Sequence, residues 1–174
     1  MKFILSFLGV GLIVVAIIFC GQNKSENNSE YMRIHITANS NSAKDENIKY
    51  IVKDVVITYL DSLLNGVKDE AEAEQTIIEN LDEITSVANA VLQSEGVNYC
   101  ASVGVEVEMI PTRKYGDLIL EQGNYSALQI ELGEAKGGNW WCVVFPSVCF
   151  VDYENFKNVE YISKIWDTLY HVKT

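Results

Sequence analysis

The sequence predicts an α+β domain in which two N-terminal amphipathic helices and a C-terminal helix pack on a mainly antiparallel sheet, in the order β-α-α-β-β-β-α. Three observations predict it. Apolar residues recur at steps of three and four through two long stretches, Ile48 to Leu64 and Ala73 to Leu92. They alternate singly before those stretches and again, repeatedly, after them. The tail then returns to helical spacing through Phe156, Val159, Ile162, Ile165, Trp166 and Leu169.

Residues 3–20, FILSFLGVGLIVVAIIFC, carry no charge and follow Lys2. This length falls between the apolar core of an export signal, about 7–15 residues, and a spanning helix of about 20. The expected element over 1–20 is a signal peptide or an N-terminal membrane anchor, and either one exports the remainder. GQNKSENNSE (21–30) has no large apolar residue and reads as a polar linker. Residues 31–174 are then a single exported domain, long enough for a sizeable core.

YMRIHITA (31–38) sets Met32, Ile34, Ile36 and Ala38 against Arg33, His35 and Thr37, the pattern of a half-buried strand. NSNS (39–42) breaks it, and Ser42 with Asp45 three residues on resembles a capping box. Ile48, Ile51, Val52, Val55, Val56, Tyr59, Leu60, Leu63 and Leu64 then make the first helix, stopped by Gly66. The second helix is expected as one piece over 69–96, with an acidic start suited to the helix dipole and Gly96 at its end. From Val97 the period becomes 2. Residues 99–109 read as a strand with one wet face, 125–132 as another, and 140–145 as a third.

Charge and motif content exclude several functions. With 13 Lys and Arg against 24 Asp and Glu, the net charge is −11, which offers nucleic acid no basic patch. It also leaves the N-terminal segment as the one expected contact with membrane. H-E-x-x-H, G-x-S-x-G, P-loop and C-x-x-C motifs are all missing from the sequence. No catalytic, cofactor-binding or metal-binding residue is assigned, and no enzyme is read.

Cys142 and Cys149 are the candidate disulfide. In one continuous strand they would lie roughly 23 Å apart at ~3.3 Å per residue, whereas a bridge needs about 4.4–6.8 Å. The bridge therefore requires the chain to reverse, and Pro146-Ser147 is a suitable turn. Two buried thiols, or a zinc site, are the alternatives. Trp140 and Trp141 point to opposite faces if they lie in a strand. Either both are covered by elements on the two sides of the sheet, or one is exposed as a binding anchor. Arg33 and Arg113, the two arginines, either pair with carboxylates or face a partner. Asn39 and Ser40 either cap the helix or contribute to the same surface.

RIHITANSNSAKDENIKYIVKD (33–54), EGVNYCASVGVE (95–106), IPTRKYG (110–116) and EQGNYSALQIELGEAKGGNWWCVVFPSVCF (121–150) strongly resemble the stage II sporulation protein R family of endospore-forming bacteria. The run GxNWWCVxFPxxCF is the most specific part. The resemblance implies a protein exported from the forespore into the space between the two membranes. There it would activate a membrane-embedded aspartic peptidase of the mother cell, which cleaves the sigma-E precursor. The competing expectations are an exported cell-envelope hydrolase and a peptidoglycan-binding module.

Overall fold

A computed structural model describes residues 30–148 of the chain. Strand β1 (Met32–Thr37) is followed by helices α1 (Ala43–Leu63), α2 (Glu70–Glu79) and α3 (Leu81–Ser94). Five strands come next: β2 (Ala101–Ile110), β3 (Arg113–Tyr115), β4 (Leu118–Leu120), β5 (Gly123–Leu132) and β6 (Asn139–Phe145). The class is α+β, but the expected order is corrected. Three helices, not two, separate β1 from the later strands, and the described chain then runs through strands only. The helix expected over 156–169 lies outside the described residues.

The second predicted helix divides at Asn80. Its backbone N–H turns back to the carbonyl of Ile77 at 3.0 Å, and its side chain donates to Thr76 O at 2.8 Å. The apolar stripe gives no warning, because Ala73, Ile77, Ile84, Ala88 and Val91 all still enter the core. Gly96, at φ +64, closes α3 as expected, with Val97 N donating to Leu92 O at 3.3 Å.

The main sheet has the order β2-β5-β1-β6. β1 runs parallel to β5 and antiparallel to β6, while β2 and β5 are antiparallel. The sheet is therefore mixed, with the parallel pair at its centre. Alternation along a strand reports which face is buried and carries no information on the direction of the neighbour.

The helices cover one face. Ile34, Ile36, Leu128, Ile130, Leu132, Cys142 and Val144 meet Ile48, Val52, Val56, Ile77, Ile84 and Val91 there. Helix α3 is shorter than β2. Its 14 residues span about 21 Å at 1.5 Å each, against about 33 Å for ten strand residues. Val107 and Met109, expected on the buried side, are consequently 58% and 56% exposed.

β1 departs most from expectation. It is central and almost wholly buried rather than wet on one face. A small hairpin of β3 and β4 forms its own two-stranded sheet. It supplies Tyr115, Leu118 and Leu120 to a second apolar cluster with Tyr125, Ala127, Val143 and Trp141, over the face that carries Arg33.

The loop between β5 and β6 is fixed against the β1–α1 turn. Gly133 sits at φ +60, and a Cβ there would collide with the Asn39 side chain and the Tyr99 ring. Gly116 has φ +58 with open space around it. Gly133→Ala is expected to cost on the order of 2–3 kcal/mol, and Gly116→Ala about 1 kcal/mol. Thermal unfolding followed by circular dichroism checks this; equal losses would show that the collision at Gly133 is absorbed.

Candidate functional site

Two polar clusters lie at the ends of β1. The first surrounds Asp45 in the opening turn of α1. Ser42 caps the helix as predicted, accepting from Asp45 N at 3.1 Å. The Asp45 carboxylate serves a different set of donors: Asn39 Nδ2 at 2.9 Å, the Ser40 hydroxyl, and Tyr99 OH at 2.7 Å. Asn39 also accepts from Glu134 N at 2.9 Å, and its carbonyl accepts from Lys136 N at 3.1 Å. Next to this, Lys49 is 1% exposed and donates to Glu46 Oε2 at 2.7 Å and Gly138 O at 2.9 Å. Gly138 N returns a bond to Glu46 Oε1 at 2.8 Å.

The donors converging on Asp45, led by the Ser40 hydroxyl and followed by Tyr99 and Asn39, stabilise its charged form. They hold its carboxyl at about 2, against an ordinary 3.8. Desolvation, and then the hydrogen bond to the Asp45 carboxylate, push the Tyr99 phenol well above its usual value. The Lys49 ammonium, followed by the Gly138 N–H, lowers Glu46. Asn39 and Ser40 are thus placed in a knot that ties β1, α1 and the loop before β6 together.

The second cluster lies on the sheet face opposite the helices, where the alternation of β1 puts Arg33, His35 and Thr37. Arg33 is fully buried. Its Nε donates to Cys142 O at 3.0 Å and its Nη2 to Tyr115 OH at 2.7 Å. The guanidinium carbon lies 4.9 Å from the Tyr125 ring centre and 5.5 Å from that of Tyr115. Tyr115 OH in turn donates to Trp141 O at 3.3 Å. Burial raises the Tyr115 phenol, and Arg33 beside it opposes the rise.

Further along the same face, His35 Nδ1 lies 3.0 Å from Glu108 Oε2 and its Nε2 lies 2.9 Å from Asn139 Oδ1. Gln129 Nε2 donates to the same Glu108 oxygen at 3.2 Å. The imidazole stacks on Trp141 with centroids 5.1 Å apart, and Arg113 lies over the Trp141 ring at 4.4 Å. Thr37 Oγ1 is 3.1 Å from His35 Nε2, so Thr37, His35 and Glu108 line up as a hydroxyl, an imidazole and a carboxylate. The hydroxyl already donates to Asn139 Oδ1 at 3.1 Å and is nearly buried, which suits it to holding the imidazole in place rather than to attacking a substrate.

Of the residues singled out in the sequence, Arg33, Arg113 and Trp141 come together on this face. Trp140 points the other way, pairing with Ile36 and packing at the margin of the helix-side core, with Lys53 Nζ 5.6 Å from its ring. Cys142 is buried on the helix side, and Cys149 lies outside the described residues. Cys100 is a free, exposed thiol. Sequence reasoning passed over Glu108, Gln129, Asn139 and Tyr115. Their signal was the polar phase of each strand, which only the register turns into neighbours. Among the described residues there is no group of three or more His, Cys, Asp and Glu placed to hold a metal ion, and no helix long and apolar enough to cross a membrane.

A family model described as Stage II sporulation protein R matches residues 28–155. Stage II sporulation protein R of Bacillus subtilis (strain 168) is 34% identical over 142 residues, which cover 79% of this chain. The match spans 63% of that relative, less than two thirds of its length. No solved structure matches the chain.

The Asp45 knot gives a pH dependence of known sign. A carboxyl whose folded value lies below its unfolded one contributes stability that is complete above the unfolded value and is lost as pH falls through the folded one. The contribution is therefore present above about pH 4 and fades between about pH 4 and 2. Asp45→Asn is expected to cost about 2 kcal/mol at neutral pH and to reduce the acid sensitivity in that window. Urea unfolding at pH 7, 4 and 2.5 measures both effects; a cost independent of pH would assign the stabilisation to shape rather than charge.

Proposed function

The chain belongs to the stage II sporulation protein R family, and on that premise we propose that it is an exported signal of endospore formation. It passes from the forespore into the intermembrane space and activates a membrane-embedded aspartic peptidase of the mother cell, which cleaves the sigma-E precursor. The observation that carries this reading is the family match across residues 28–155, a stretch that takes in every described element. The N-terminal apolar run supports export, either released after cleavage or tethered by the segment. The protein acts by contact and performs no chemistry of its own. The face around His35 supports this, because His35, Thr37, Glu108 and Asn139 are bonded to one another, and an aromatic and guanidinium surface of Trp141 and Arg113 lies beside them.

Export also makes a Cys142–Cys149 disulfide the best use of those cysteines. The strand does not run straight between them: β6 ends at Phe145, and a turn at Pro146-Ser147 follows. Mass mapping of the full chain without reduction is expected to return one peptide pair joined through Cys142 and Cys149, with Cys100 alkylated as a free thiol. Alkylation of both Cys142 and Cys149 without reductant would sink the assignment.

Co-expression of this chain with the peptidase and the sigma-E precursor in a host that lacks all three tests the function itself. Precursor cleavage is expected only when this chain is present and carries its N-terminal segment. Cleavage of equal extent without it would refute the reading. Release of cell-wall fragments by the purified protein would favour an envelope hydrolase instead.

A further inference from the structure

In a chain of net charge −11, both arginines lie on the side of the sheet away from the helices. Arg113 sits with its guanidinium carbon 4.4 Å from the centre of the Trp141 ring. Arg33 is buried and is linked to the Trp141 backbone through Tyr115 OH. Neither arginine has an ion pair among the described residues. Among the described residues, Arg33 Nη1 and Trp141 Nε1 are buried without an acceptor. Of the acids on this side, Glu108 is bonded by His35 and Gln129 and Glu121 by Thr112, while Glu106, across Ala127 from Arg33, is exposed. Among the described residues the spot therefore holds two guanidinium charges without an ion pair and two donors without an acceptor, which would attract an approaching carboxylate.

We propose that Arg113, laid on the Trp141 ring, anchors the docking of an acidic peptide segment of the partner. Identifying that partner as the peptidase rests on the functional reading above; the chemistry of the site does not. Arg113 is half-buried in the short strand β3, and its one hydrogen bond is a 3.5 Å contact from Nη1 to Thr112 O. Most of its planar fork of donors is thus free to take a carboxylate side-on through two parallel bonds. Stacking on the indole restricts the side chain before binding, which lowers the entropy lost on docking. An arginine on a tryptophan is also the kind of residue pair that dominates binding energy at interfaces. The buried charge of Arg33 adds to the field without touching the ligand.

The test uses hexaglutamate as the probe and hexalysine as its control, titrated into the full-length chain in detergent. The Trp141 indole N–H signal, assigned by its loss in Trp141→Phe, is the readout. Hexaglutamate is expected to shift it saturably and more weakly at high salt, and hexalysine to leave it unmoved. Arg113→Gln should weaken the apparent affinity tenfold or more, while Arg113→Lys should retain more of it than Arg113→Gln does. Affinity unchanged in Arg113→Gln, no shift with hexaglutamate, or an equal response to hexalysine would each overturn the proposal. In the co-expression assay, Arg113→Glu should lower precursor cleavage at least tenfold, with the thermal unfolding midpoint kept as a control on folding. If the unaltered chain triggers cleavage and Arg113→Glu does so equally, the docking surface is wrong and the activator reading stands. If the unaltered chain triggers none, the activator reading falls and the peptide titration still decides the surface.

Discussion

Arg33 carries a guanidinium into a place without water and, among the described residues, without a carboxylate, and the second face of the sheet is organised by that burial. A charge removed from water costs several kcal/mol unless other groups replace its hydration. Here the replacements are a backbone carbonyl from β6, a phenol from β3 and the π faces of two tyrosines. They come from three different strands, β3, β5 and β6. The cation therefore requires β6 to lie beside β1, β5 to present Tyr125, and the β3–β4 hairpin to fold back over the sheet with Tyr115. A hairpin with two strands of three residues has little stability of its own. Its hydrogen bond and ring contact to Arg33 give it a reason to stay.

The other end of β1 is fixed by the opposite charge. Asp45 gathers donors from the turn before α1 and from Tyr99 ahead of β2, and Asn39 extends the network into the loop that leads to β6. Gly133, Gly137 and Gly138 have no room for a Cβ, which lets this loop close on the β1–α1 turn, Tyr99 and Glu46. The central strand is thus pinned by an anion at one end and a cation at the other. The surface between them, with His35, Glu108, Asn139 and Trp141, is held by the sheet register rather than by loops. A face built on strands is held more rigidly than one built on loops.

The sequence by itself determined the helical stripes, the capping of α1 by Ser42, the ends of α1 and α3 near Gly66 and Gly96, and the strand phases that place Trp140 and Trp141 on opposite faces. These are consequences of local periodicity and backbone preference, which neighbouring residues carry among themselves. The family was also legible, because GxNWWCVxFPxxCF is a long run of uncommon residues. The break at Asn80 was not legible. The apolar stripe continues in phase across it, and the interruption depends on a side-chain bond to Thr76 O and on how the two halves pack.

Tertiary structure alone decided the strand order, the parallel pairing of β1 with β5, and the cover over Arg33. Alternation marks Arg33, His35 and Thr37 as one face, but whether that face is wet depends on a hairpin 80 residues away, at Arg113–Leu120. His35 and Glu108 acquire their relation only because β5 lies between their strands in one particular register. Long-range pairing is a property of the whole chain, since each strand accepts several partners and the total burial selects among them. The polar residues of the candidate site were therefore visible one by one, and the site they make together was not.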